Sequence, residues 1–141
     1  MNDYIKMEKL WYDNELIQLE VICSSSVITA TAKIYVSNLL IDDLIYKINL
    51  FLDNHQDKIV WSNDDKGDHS ALCLELSFLK KDNLGHILIE TFMELDDGGK
   101  YSSHNCCFYI NTEMGLLKTF CDRLEQLKYM PIGANILLND L

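Results

Sequence analysis

Apolar and polar side chains alternate along 15–23, with Ile17, Leu19 and Val21 on one side and Gln18 and Glu20 on the other. Ser24-Ser25-Ser26 interrupts the pattern. It resumes over 27–36, where Ile28, Ala30, Ala32, Ile34 and Val36 oppose Thr29, Thr31, Lys33 and Tyr35. A period of two is the period of a strand, so two such runs about a short polar turn predict a β-hairpin. After Val36 the period lengthens: Leu40, Ile41, Leu44, Ile45, Ile48, Phe51 and Leu52 follow a spacing of three and four. That spacing predicts a helix capped by Ser37, with Asp42 and Asp43 in its early turns, where carboxylates favour the positive end of the helix dipole.

Four more alternating runs follow. The run over 58–62 carries Trp61, and that over 70–78 aligns Leu72, Leu74, Leu76 and Phe78. The run over 85–95 sets Ile87, Ile89 and Met93 against Leu88, Glu90, Phe92 and Glu94, apolar enough on both sides to suggest cover on both faces. Asp96-Asp97-Gly98-Gly99 is a hairpin turn, because glycine accepts the positive φ that such turns require. The strand over 102–111 aligns Cys106, Phe108 and Ile110. Thr112 and Glu113 then open a second helix, with Leu117, Phe120, Cys121, Leu124 and Leu127 on one face and Pro131 and Gly133 ending it.

The order β-β-α-β-β-β-β-α predicts an α+β domain over 1–141, an antiparallel sheet of about six strands packed on one face by two helices. Its predicted core holds Leu44, Ile48, Leu74, Leu76, Phe108, Ile110, Leu117 and Leu124. Residues 1–14 read as a less ordered lead-in and 129–141 as a tail, in which Ile136, Leu137 and Leu138 either add a short strand or fray.

Charge changes the picture more than size does. The chain has 141 residues, one domain's worth, of which 48% are hydrophobic and 24% charged. Its 22 acidic residues outnumber 12 basic ones, for a net charge of −10, and Arg123 is its single arginine. Binding to nucleic acid or to an anionic membrane runs on Lys and Arg, so neither is an expected partner. A basic protein is. Five cysteines form no CxxC spacing, no basic-apolar leader stands at Met1, and no run approaches the roughly 18 apolar residues of a membrane span. The expected setting is a reducing cytoplasm with free, mostly buried thiols.

Motifs for chemistry fail on spacing. Gly99-Lys100 has Glu94 where a phosphate-binding loop needs its first glycine. With Gly67 at the sixth position of a calcium loop, Lys66 falls on the fifth and Cys73 on the twelfth. His55, His69, His86 and His104 match no zinc spacing. Cys106-Cys107 adjoin on a strand and so point to opposite faces, Cys106 in the core and Cys107 either under a helix or half exposed. No enzyme, metal or cofactor is expected.

Two acidic turns are the candidate partner site. In a meander, the connections holding Asp64, Asp65 and Asp68 and holding Asp96 and Asp97 leave the sheet at the same end, with Glu94 just inside it, while Lys80-Lys81-Asp82 sits at the other. This acidic pole reads either as a partner patch or as solubilising loop tips, since aspartate is a good turn residue. Trp61 beside it reads either as core or as a binding anchor. Trp11-Tyr12 reads either as cover for a sheet edge or as an exposed anchor.

The order of these segments carries a resemblance. Trp11-Tyr12-Asp13-Asn14-Glu15-Leu16-Ile17-Gln18-Leu19-Glu20-Val21 leads into a serine turn and a second strand. Gly85-His86 opens a later strand, and Cys107-Phe108-Tyr109-Ile110-Asn111-Thr112-Glu113 runs into the last helix. Across nearly its whole length the chain resembles the WapI-type immunity proteins, which guard bacteria against the C-terminal toxin domain of the wall-associated protein WapA. The resemblance implies a cytoplasmic inhibitor of a cognate toxin, typically a nuclease cleaving RNA such as tRNA. It carries over no functional residue, because toxin-binding surfaces in such families vary with the toxin. The alternative is an adaptor or oligomerising protein that binds through its sheet edge or apolar tail.

Overall fold

The computed structural model describes residues 3–54, 56–63, 72–95 and 104–139. Its elements run β1 (Tyr4–Tyr12), β2 (Ile17–Ser24), β3 (Thr29–Val36), α1 (Asn38–Asn54), β4 (Lys58–Ser62), β5 (Leu74–Lys80), β6 (His86–Leu95), β7 (His104–Glu113), α2 (Met114–Leu127) and β8 (Asn135–Leu138). The α+β class holds, but the single sheet of about six strands does not. The strands form two antiparallel sheets of four, in the orders β3-β2-β1-β8 and β4-β5-β6-β7.

The difference arises at the two ends of the chain and at the helices. Residues 4–12, read as a lead-in, pair with β2 from Tyr4↔Ser24 to Tyr12↔Ile17, burying Ile5 and Met7. The tail pairs with the other side of the same strand, from Ile5↔Leu138 to Glu8↔Asn135. Each helix is the crossover between sheets: α1 carries the chain from β3 to β4 and packs on both, and α2 carries it from β7 back to β8 and packs on both. The helices also pack on each other, and the sheets meet where β3 approaches β6. All eight predicted core residues are buried in the resulting shared interior.

Local chemistry explains the element ends. Ser37 caps α1, its Oγ accepting from the Leu40 amide at 3.2 Å. In the β2–β3 turn, Ser25 Oγ accepts from the amides of Val27 and Ile28. The second helix starts differently from its prediction: Thr112 stays in β7 and donates to Asn139 Oδ1 at 2.7 Å, and Glu113 stands at the N-cap without a side-chain bond. Beyond α2, Gly133 turns the chain with φ 92°, a conformation that favours glycine, and its amide donates to the Lys9 carbonyl, which starts the β1–β8 pairing.

Lys9 occupies an inward position of β1 and is 2% exposed. Its ammonium donates to the carbonyls of Lys128 at 3.1 Å and Met130 at 2.8 Å, just past α2, and lies 4.9 Å from the Tyr12 ring centroid. Burial holds its pKa below the usual lysine value. These bonds supply donors where a helix end leaves carbonyls without partners. A second polar seam joins the sheets. The Asp3 carboxylate accepts from both the backbone and side-chain nitrogens of Asn111 in β7, and Asn139 Nδ2 donates to the carbonyls of Asp3 and Asn111.

Candidate partner-binding surface

The acidic-pole residues Asp64, Asp65, Asp68, Asp96 and Asp97 lie outside the described residues. The strands that hold those connections do run as the meander requires. Ser62 pairs with Glu75, Leu74 with Met93 and Leu95 with His104, so both connections leave the second sheet at one end. Trp61 is corrected as a candidate anchor. It faces the interior, is 2% exposed, and its indole N–H donates to the Leu40 carbonyl of α1 at 3.0 Å, so it serves the core. Trp11 and Tyr12 are exposed at the end of β1, past a register shift between Lys9 and Trp11.

At the opposite end of the second sheet, a pocket of about 130 Å³ is lined by Phe51, Leu52, Lys80, Asp82, His86 and Met114, among others. Asp82 there is a turn lock. Its carboxylate accepts from the amides of Leu84 at 2.7 Å and His86 at 3.3 Å, and lies 2.6 Å from His86 Nδ1. These donors hold its carboxyl below the usual aspartate value. Among the described residues, no group of three or more His, Cys, Asp or Glu side chains is arranged to hold a metal ion. Nor is any described helix long and apolar enough to cross a membrane.

The most distinctive surface is the outward face of the second sheet. Cross-strand register sets Ser62, Glu75, Phe92 and Cys107 in one row and Val60, Ser77, Glu90 and Tyr109 in the next. Glu94 and Asn105 flank the first row toward the acidic connections, and Lys58, Leu79, Leu88 and Asn111 flank the second on the far side. The face is open to solvent at Val60, Glu75, Cys107 and Tyr109, while Leu88, Glu90, Phe92 and Glu94 are half-buried. The predicted cover on both sides of β6 is thus only partial.

Glu75 sits diagonally between Glu90 and Glu94, a placement of about 7–8 Å in a sheet. Glu90 accepts from the Tyr109 hydroxyl at 3.1 Å and lies 3.9 Å from Cys107 Sγ. The hydrogen bond to Glu90 raises the Tyr109 pKa, with the Glu90 charge adding to it. Partial burial raises the Cys107 thiol, and Glu90 and Glu75 push it further. The negative field of this face is therefore legible in the groups it contains. Sequence reading aligned Glu90, Phe92 and Glu94 on one side of β6 but did not join them to Glu75 and Tyr109. The meander register together with the outward parity of β5 and β7 would have done so. No protein-family model, curated protein or solved structure matches the chain.

Proposed function

We propose that this protein is a WapI-type immunity protein. It acts in the cytoplasm by binding, without cofactor or catalysis, and neutralises the cognate toxin domain of a contact-dependent bacterial toxin, an RNA-cleaving nuclease. The observation that carries the reading is charge: a net −10 with a single arginine. A nuclease domain needs a basic surface to hold RNA. A small acidic protein is steered onto such a surface and blocks it without any chemistry of its own. The order of segments from Trp11 to Glu113 that resembles the WapI-type family supports the same conclusion. In this reading the connections bearing Asp64, Asp65, Asp68, Asp96 and Asp97 add to the field that draws the toxin in.

A second reading, an oligomerising adaptor, is favoured by one observation: β3 is an edge strand of eight residues, and Thr29, Thr31, Lys33 and Tyr35 on it are exposed. The apolar tail is less suited to that role, since Ile136 and Leu138 are buried within the first sheet. Co-expression with candidate toxin domains separates the two. Restored growth against one toxin and not others is the immunity result. Growth arrest with every toxin, together with sedimentation as an oligomer, is the adaptor result.

A further inference from the structure

The second sheet has one face in the core and presents apolar and aromatic side chains, notably Phe92, Leu88 and Tyr109, on the other. An outward sheet face bearing half-exposed aromatics is the kind of surface on which protein partners anchor. The charge around it selects the partner. Glu75, Glu90 and Glu94 interleave with these side chains, and among the described residues none of the three forms an ion pair. A second copy of this chain would bring the same negative face, and phosphate-bearing surfaces would be repelled. A basic protein gains in both respects. Its Lys and Arg heads pair with the glutamates, while their stems and an Arg plane cover Phe92 and Tyr109.

We propose, resting on the immunity reading, that the outward face of β5–β7 is the surface onto which the basic toxin domain docks, with Glu75, Glu90 and Glu94 as its charge partners and Phe92 and Tyr109 as its anchors. Two measurements keep this surface and the immunity reading apart. In the first, ¹⁵N-labelled protein is titrated with a short Arg- and Lys-rich peptide. Amide signals of β5–β7 should move most, with binding about tenfold weaker in high salt. Shifts centred on the first sheet, or no shifts, overturn the surface.

In the second, a Glu75→Lys, Glu90→Lys, Glu94→Lys variant is compared with wild type for protection against the toxin found by co-expression and for affinity to its purified domain. A Glu→Gln version of the same three positions serves if the Lys variant melts early. At least a tenfold loss of affinity at unchanged melting temperature is the expected result. Full protection and affinity in a folded variant overturn the surface and leave the immunity reading standing. A wild type that protects against no toxin, while the peptide still maps to β5–β7, overturns the immunity reading and leaves the basic-partner surface.

Discussion

The two sheets share one core but differ on their outward faces. On the first sheet, Lys6 stands 3.9 Å from Glu8, while Glu8, Glu20 and Lys33 follow one another across three strands, so two cations offset two carboxylates. On the second, Glu75, Glu90 and Glu94 interleave with an aromatic patch, and the cations Lys58 and Lys81, the latter bonded to Asn111, stand apart at the far row. Both faces obey the same alternation and neither is needed to fill the interior. Like charges on neighbouring strands cost a little stability. The first sheet sets a cation on each side of its directly opposed Glu8 and Glu20, whereas Glu75, Glu90 and Glu94 form no ion pair among the described residues. The imbalance on the second sheet is therefore better explained by what that face meets than by how the chain folds.

The comparison breaks first if the inward faces are not equivalent. Leu19→Ala in the first sheet and Leu76→Ala in the second should each cost about 2–5 kcal/mol, because both side chains are buried in the same interior. Urea denaturation of the two variants checks this, and a loss confined to one sheet would mean the sheets do not share a core. Lys9 is next in size. Lys9→Met keeps the volume but leaves the carbonyls of Lys128 and Met130 without their donor, and should cost about 1–3 kcal/mol in the same assay.

The turns test the comparison with acid. Asp13 in the β1–β2 turn accepts from the amides of Glu15 and Leu16, as Asp82 does from Leu84 and His86 in the β5–β6 turn, and both carboxyls are held below the ordinary 3.8. A carboxyl with a depressed folded pKa binds fewer protons folded than unfolded. Its contribution is thus complete above about pH 4 and is lost as pH falls through the folded value. Melting temperatures of Asp13→Asn and Asp82→Asn should therefore lie below wild type at pH 6 and converge with it in acid, by similar amounts for the two sheets.

The smallest effect is the sharpest contrast. Lys33→Gln should lower stability by a few tenths of a kcal/mol, roughly, by removing the cation facing Glu20. Glu75→Gln should leave stability unchanged or raise it by a similar amount, by relieving its neighbours. Both differences should fade in high salt. Equal losses from the two substitutions would mean the second face is compensated after all.

Much of this architecture follows from local pattern. A strand's period of two assigns inward and outward residues wherever the strand ends up. For this reason Ile17, Leu19 and Val21, the alternation of β3, and the core residues Leu74, Leu76, Phe108 and Ile110 are found as the pattern places them, and the helical spacing of three and four does the same for Leu44, Ile48, Leu117 and Leu124. The Ser37 cap and the Ser25 turn are equally local, since a hydroxyl reaches amides two or three residues ahead. What pairs across the chain is not written in any window of sequence. β8 joins β1 from more than a hundred residues away, and α1 removes the chain from one sheet and begins another, so the split into two sheets was decided by tertiary packing. The same holds for the side chains that looked ambiguous. Trp61 is core because the Leu40 carbonyl of α1 accepts from its indole, and Lys9 is buried because the carbonyls after α2 surround its ammonium. Sequence determined which way each side chain faces along its strand. Only the fold decided what it faces, because a buried polar group needs partners that distant segments supply.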